Sequence, residues 1–285
     1  MGYSLEFSVC NRNISEQERF MLKNLVTERK LIWTLAKNDF KKKFAGSYLG
    51  IVWALVQPIV TVLVYWFVFQ GGLKPLSTNA YHGYPFFLWM LAGIVPWFYF
   101  QDAMPGGTNV LMEYSYLVKK VVFKIEILPM IKAISALFIH VFFVCVTFLI
   151  YCGYGKFPGI YGIQVVYYSF CMFALVLGLC YATSAIAVFF RDLLQIVNIC
   201  LQVGVWATPI MWDLESFGLP GLVQKIFKLN PMYYIVYGYR DAMINKVWFW
   251  ERPGLTLYFW GFTILMFVIG TRVFKRLRIH FADVL

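Results

Sequence analysis

The sequence predicts an all-α protein that crosses a membrane several times. Three observations carry this. The 285 residues are 61% hydrophobic and 14% charged, whereas soluble domains average about 45–50% apolar and about 25% charged. Six apolar segments are each long enough to supply the roughly 20 helical residues that a bilayer core demands. Lys and Arg gather where those segments stop, as they do at membrane faces. Aromatic residues make up a further 20%. A soluble enzyme, a disordered chain and a nucleic-acid domain are excluded, because a soluble chain of this length cannot hide so much apolar surface.

The net charge of +11 is read as membrane topology rather than affinity for nucleic acid. Cys10, Cys145, Cys152, Cys171, Cys180 and Cys200 show no C-x-x-C spacing, so they read as small hydrophobes and not as disulfides or metal ligands. His82, His140 and His280 are scattered and form no ligand pair.

Residues 1–48 form a polar arm of mixed charge, with no cleavable signal peptide expected. Ser15 and Glu18 read as a capping box. The helix it opens places Leu22, Leu25, Ile32, Trp33, Ala36, Phe40 and Phe44 among Lys23, Lys30, Lys37 and Lys41. It is too polar to span, and it fits an amphipathic helix in the interface, anchored by Trp33 and Lys41-Lys42-Lys43.

The expected spans are 49–69, 84–101, 133–151, 163–190, 193–212 and 255–271, within a transmembrane domain over 49–274 and ahead of a tail at 275–285. The fourth is over-long and tilts. Arg191 and Asp192 leave only a tight hairpin before the fifth. With the amino terminus inside, the 25 Lys and Arg divide 18 inside to 7 outside, so both termini are expected in the cytoplasm. Between spans two and three, Pro105-Gly106-Gly107 and Pro129 bracket a short cytoplasmic helix expected at about 113–128. On the outside, Leu222, Ile226 and Leu229, then Ile235, Tyr239 and Met243, repeat at helical spacing around Pro231. Each piece is shorter than a span, so two re-entrant or interfacial half-helices are expected at about 220–245. Arg240 and Asp241 are costly inside a bilayer unless paired, which predicts a water-facing position.

The missing chemistry narrows the function. The chain has no G-x-x-x-x-G-K-[ST] loop, no H-E-x-x-H and no G-x-S-x-G. The spans are nearly free of ionisable residues: Asp102 and Lys132 fall at cytoplasmic ends, and Arg272 can snorkel. An ion-coupled secondary carrier needs mid-membrane charges or broken helices, and a membrane transferase needs a paired His or carboxylate site. Energy is therefore expected from a separate protein. Trp53, Trp66, Trp89 and Trp212 are explained by the interfacial aromatic belt. Tyr65, Trp97, Tyr99 and Trp206 lie in or near spans, and with Gln57 they are candidates to line a path, since aromatic faces stack on sugar rings. Gln57-Pro58 loosens the first span, and Gly178-x-x-x-Ala182 suits close helix contact.

Gly46-Ser47-Tyr48-Leu49-Gly50, Trp53 and Gln57-Pro58 resemble the first span of the polysaccharide-exporting ABC-2 permeases. The same family is matched by Lys119-Lys120-Val121-x-Phe123-Lys124-x-Glu126-x-Leu128-Pro129, Phe190-Arg191-Asp192-Leu193, Thr208-Pro209-Ile210, and Leu229-Asn230-Pro231 ahead of Arg240. Lys124 departs from the proline that many relatives carry there. The carboxyl end, Lys275-Arg276-Leu277-Arg278-x-His280-Phe281-Ala282-Asp283-Val284-Leu285, with Tyr233-Tyr234 and Gly238-Tyr239-Arg240-Asp241, is most similar to the teichoic-acid branch. Permeases for O-antigen and capsule are close relatives.

The resemblance implies a type V exporter-like ABC-2 fold and a homodimer with two ATP-binding-cassette subunits. ATP and Mg would reside on those partners, and this chain would hold no cofactor. The cargo would be an undecaprenyl-diphosphate-linked polymer, teichoic acid first and O-antigen or capsule as alternatives. Lys119, Lys120, Glu126, Arg191 and Asp192 would couple to the ATPase. Lys41, Lys42, Lys43 and Arg191 would receive the lipid diphosphate, because phosphate is drawn to Lys and Arg. Asn230, Pro231, Tyr239 and Arg240 would form an outer gate.

Overall fold

The computed structural model describes residues 28–46, 48–72, 83–119, 124–214, 218 and 220–285. Among them every regular element is helical. The capping box at Ser15 and Glu18, with Lys120, lies outside the described residues.

The first helix, α1 (Arg29–Phe44), turns Ile32, Ala36 and Asp39 inward. Trp33 and Phe40 meet Phe138 edge-on, with ring centroids 5.2 and 5.6 Å apart. The chain then breaks at Gly46 and Gly50, whose φ angles are 86° and 51°. Neither glycine has an atom within 4 Å of an added Cβ, so the left-handed backbone and not crowding requires glycine there.

Beyond the break come α2 (Val52–Trp66), continued by a π turn over Phe67–Gly72, then α3 (Phe86–Glu113), α4 (Ser115–Val118), α5 (Leu128–Gly153), α6 (Gln164–Phe189) and α7 (Leu193–Ala207). Two short helices follow, α8 (Gly221–Lys228) and α9 (Pro231–Arg240), and then α10 (Pro253–Leu277) and α11 (Phe281–Val284).

Helices α3 and α6 form the centre of the bundle. Apolar residues surround α6 on all sides, as a core helix requires. Two glycine contacts set how close its neighbours come. A Cβ on Gly270 of α10 would lie 2.3 Å from the Gly178 carbonyl oxygen and 3.1 Å from the Ala182 nitrogen. The small pair Gly178 and Ala182 is thus the seat of α10. A Cβ on Gly107 of α3 would lie 2.2 Å from Cys180 Sγ. Thr108 and Thr183 hydroxyls meet nearby at 2.9 Å. By contrast α2 buries no residue, and α7 buries only Val197 and Leu201.

The six expected spans map onto α2, α3, α5, α6, α7 and α10. Among the described residues four stretches, Val52–Phe69, Ile125–Gly153, Gly159–Phe189 and Pro253–His280, are long and apolar enough to cross a membrane, and the spans expected at 84–101 and 193–212 are not among them. Helix α7 is apolar but has 15 residues, shorter than the expected 193–212. It stops at Ala207 because Thr208 precedes Pro209 and takes an extended conformation, φ −97° and ψ 125°.

The region expected to form one cytoplasmic helix at about 113–128 is built differently. Helix α3 runs through Pro105 to Glu113. Gly107 serves the contact with Cys180 and does not end the helix. The four-residue α4 and a 3-10 turn over Ile125–Ile127 lead into α5, and residues 120–123 lie outside the described set. The Arg191-Asp192 turn between α6 and α7 is as tight as expected. The two half-helices are α8 and α9, and the break falls at Asn230-Pro231.

Candidate functional site

Two adjoining cavities, each of about 560 Å³, lie between α1, α2, α3, α5 and α7. The first is aromatic. Gln57 and Tyr65 of α2, Trp97 and Tyr99 of α3, and Trp206 of α7 all line it, so the five candidate path residues share one wall. The Trp97 ring sits against α7 at Gly204, where an added Cβ would be 2.9 Å away. Tyr99 donates from its hydroxyl to the Ala133 carbonyl at 3.1 Å. His140 of α5 joins the same wall.

The second cavity is charged and is lined by Asp39, Lys42, Lys43, Asp102, Glu113 and Lys132, among others. Lys43 and Asp102 form an ion pair and line both cavities, so they stand at the junction. Lys132 bridges Asp39 at 2.6 Å and Glu113 at 2.8 Å. Tyr114 donates to Asp39 at 2.8 Å. Burial, and then the Asp39 carboxylate it binds, raises the Tyr114 phenol above its ordinary value. This network fixes α1 to the bundle, because a buried carboxylate must keep its partners.

Of the four residues expected at the lipid entrance, Lys42 and Lys43 reach the second cavity. Lys41 and Arg191 are exposed and line neither cavity. Among the expected coupling residues, Lys119, Arg191 and Asp192 are exposed. Glu126 is 5% exposed and turned inward, where its carboxylate pairs with Arg278. Its backbone carbonyl accepts from Tyr181 at 2.9 Å.

Of the four residues expected at an outer gate, Asn230, Pro231 and Arg240 meet at one joint after α7, and Tyr239 does not. Asn230 caps α9 by accepting from the Met232 amide at 3.0 Å. Its amide also donates to Thr208 Oγ1 at 2.8 Å, which ties Asn230-Pro231 to the Thr208-Pro209 break. Arg240 corrects the expected water-facing position, being 1% exposed. It donates to the carbonyls of Pro209 at 2.8 Å and Ile210 at 2.6 Å, and its guanidinium lies over the Trp89 ring. The segment after α7 is outside any helix, so its buried Pro209 and Ile210 carbonyls need partners from elsewhere, and a planar cation with several donors fits them. Asp241 is likewise 2% exposed and is paired with Arg252 at 3.1 Å. Tyr239 reaches His140 at 2.9 Å.

Sequence reasoning passed over His140, Asp39 and Trp89. The inward placement of Asp39 was readable from Ile32, Ala36 and Asp39 at i, i+4 and i+7. His140 and Trp89 gave no such pattern. Among the described residues no group of His, Cys, Asp or Glu could hold a metal ion.

Residues 30–244 match the family described as ABC-2 type transporter. The chain is 27% identical to an O-antigen export system permease protein RfbA of Myxococcus xanthus, over 92% of this chain and 98% of that protein. It is 24% identical to an O-antigen export system permease protein RfbA of Klebsiella pneumoniae, over 90% of this chain and 95% of that protein.

Proposed function

Because the chain belongs to the ABC-2 type transporter family, we propose that it is the membrane permease subunit of an ATP-driven polysaccharide exporter. The proposed cargo is an O-antigen-type glycan carried on undecaprenyl diphosphate. The observation that carries this reading is the end-to-end similarity to O-antigen export permeases. Those relatives put O-antigen ahead of teichoic acid, which the carboxyl-terminal motif favours and which stays as the second reading.

In this reading two copies of the chain work with two ATP-binding-cassette subunits that hold ATP and Mg, and both termini face the cytoplasm. The diphosphate approaches Lys42 and Lys43 at the charged cavity, and the glycan follows into the aromatic cavity. Two features support the order: the cavities share Lys43 and Asp102, and aromatic faces suit sugar rings. Lys119, Arg191 and Asp192 are exposed and available to the ATPase. Glu126 acts through Arg278 rather than at the docking surface. The Asn230–Thr208 joint and Arg240 position α9 at the exit.

The test is purification of the full chain from its own cells and reconstitution with the cassette ATPase that accompanies it. ATP hydrolysis should rise with undecaprenyl-diphosphate-linked neutral glycan and less with a lipid-linked poly(glycerol phosphate). Equal or reversed responses would return teichoic acid to first place. A chain that purifies without any cassette ATPase would overturn the exporter reading.

A further inference from the structure

The charged cavity is neutral as a whole. Among the described residues its charged lining is Lys42, Lys43 and Lys132 against Asp39, Asp102 and Glu113. A diphosphate therefore gains little from the net field of the cavity, and binds by taking a cation from a carboxylate that already holds it. The three carboxylates differ in how firmly they are placed. Asp39 is buried, pairs with Lys132 at 2.6 Å and accepts from the Tyr114 hydroxyl at 2.8 Å. Stripping it of those partners would leave an uncompensated buried charge, which is strongly destabilising. Glu113 shares Lys132 with Asp39, so Lys132 stays neutralised if Glu113 leaves.

Asp102 is held differently. Its one ion-pair partner among the described residues is Lys43, and both side chains are partly exposed, where a pair contributes little. Lys42, the preceding residue of α1, makes no ion pair among the described residues and stands over the Tyr114 ring at 5.4 Å. Asp102 offers these two ammonium groups a single negative charge. A diphosphate offers them more charge and more acceptor oxygens, and hydrogen bonds between ionised partners are the strong ones. Exchange on Lys43 thus favours the diphosphate, and of the three carboxylates Asp102 is the one that yields.

We infer that Asp102 is an internal competitor, holding the position on Lys43 that the lipid diphosphate takes, and that the headgroup binds by displacing it. The inference rests on the reading of Lys42 and Lys43 as the diphosphate site and deepens it. The pair joins the end of α1 to α3, and its two residues line both cavities. Displacement therefore undoes the contact at the junction as the headgroup arrives, so the headgroup binds first and the glycan passes into the aromatic cavity afterwards. The displaced carboxylate repels the bound phosphate. Asp102 thus keeps the affinity low enough for a cargo that has to leave again.

The experiment uses the full chain in phosphatidylcholine nanodiscs and two probes: undecaprenyl diphosphate and the uncharged undecaprenol. Asp102→Asn keeps the shape of the side chain and removes its charge. It should bind the diphosphate about tenfold more tightly, the scale of one exposed ion pair and the repulsion left behind it. Undecaprenol binding should not change. Asp102→Glu keeps the competing charge and should stay within about twofold of the unaltered chain. The decisive arm repeats Asp102→Asn on a Lys43→Gln background, where no pair remains to be opened and the gain should fall to about twofold or less. A tenfold gain that persists without Lys43 would mean that Asp102 acts through net charge alone, and would overturn the displacement. No gain from Asp102→Asn, or a loss of affinity, would overturn it too and leave Asp102 as a mere support for Lys43. If neither the unaltered chain nor Asp102→Asn prefers the diphosphate over undecaprenol, the diphosphate site itself fails, which is distinct from a missing gain in a chain that does bind.

Discussion

The guanidinium carbon of Arg240 lies 3.4 Å from the centre of the Trp89 ring. That contact, with two carbonyl acceptors on the broken end of α7, holds α9 against α3. Arg240→Met should leave both carbonyls buried and unpaired, at a cost of about 1–3 kcal/mol each. Arg240→Lys should recover little, because an ammonium cannot keep the planar stack while reaching two carbonyls. Thermal unfolding of the purified chain in detergent measures both; a melting temperature within a degree of the original for Arg240→Met would remove Arg240 from the joint.

Gly270 tests the α6–α10 crossing. The added methyl of Gly270→Ala meets the Gly178 carbonyl oxygen, a backbone atom that cannot swing aside. The variant should lose several degrees of melting temperature or fail to accumulate. Gly261→Ala on the same helix meets nothing within 4 Å. It should be neutral or gain up to about 1 kcal/mol from helix propensity.

The Lys43–Asp102 pair should matter for transport and little for stability. Its side chains are 41% and 33% exposed, and such pairs contribute about 0–1 kcal/mol. Exchanging the two residues should restore the melting temperature of the single variants. It should not restore binding of undecaprenyl diphosphate, because the cation then stands on α3 instead of α1. Full binding by the exchanged chain would argue that only net charge matters there.

The carboxyl terminus should be released when its anchor is cut. Phe281 is fully buried between Phe189 and Phe274. Arg278 reaches Glu126 from the turn before it. Glu126→Gln should expose the 275–285 tail to trypsin while the bundle stays folded. Phe281→Ala should do so more strongly, since removing a buried phenyl costs about 3–5 kcal/mol. A tail that resists trypsin in both variants would mean that other contacts hold it.

Alkaline pH should loosen α1. The Tyr114 pKa is raised in the folded chain, so its contribution is fully present below the unfolded value of about 10. It is lost as pH rises beyond that, because the unfolded chain then releases a proton that the native one keeps. Proteolysis within α1 should accelerate above about pH 10 in the unaltered chain. Tyr114→Phe has no proton to lose and should show a flatter alkaline limb, with a uniform loss from the missing bond to Asp39.

What the sequence disclosed follows from where periodicity and punctuation carry physical meaning. The break at Asn230-Pro231, the tight Arg191-Asp192 turn and the inward face of α1 were legible, because proline, short polar turns and i, i+4, i+7 spacing act locally. The inward positions of Glu126 and Arg240 were not legible because their partners lie far along the chain. Arg278 is 152 residues from Glu126, and Pro209 is 31 from Arg240. Pro105-Gly106-Gly107 looked like a terminator because sequence cannot show that Cys180 presses on Gly107. The five aromatic and amide residues of the path were readable as types, but their convergence on one cavity depends on how α2, α3 and α7 cross.

Helix α2 has no buried side chain, and two left-handed glycines precede it. Shifting such a helix trades one set of hydrocarbon neighbours for another, so the change in apolar contact nearly cancels. Moving α6 would instead tear open its seats at Gly178 and Cys180. The free-energy surface of this chain is therefore softer along a shift of α2 than along a shift of α6. Hydrolysis in a partner subunit need only push along the softer one to change the width of the cavity that α2 closes.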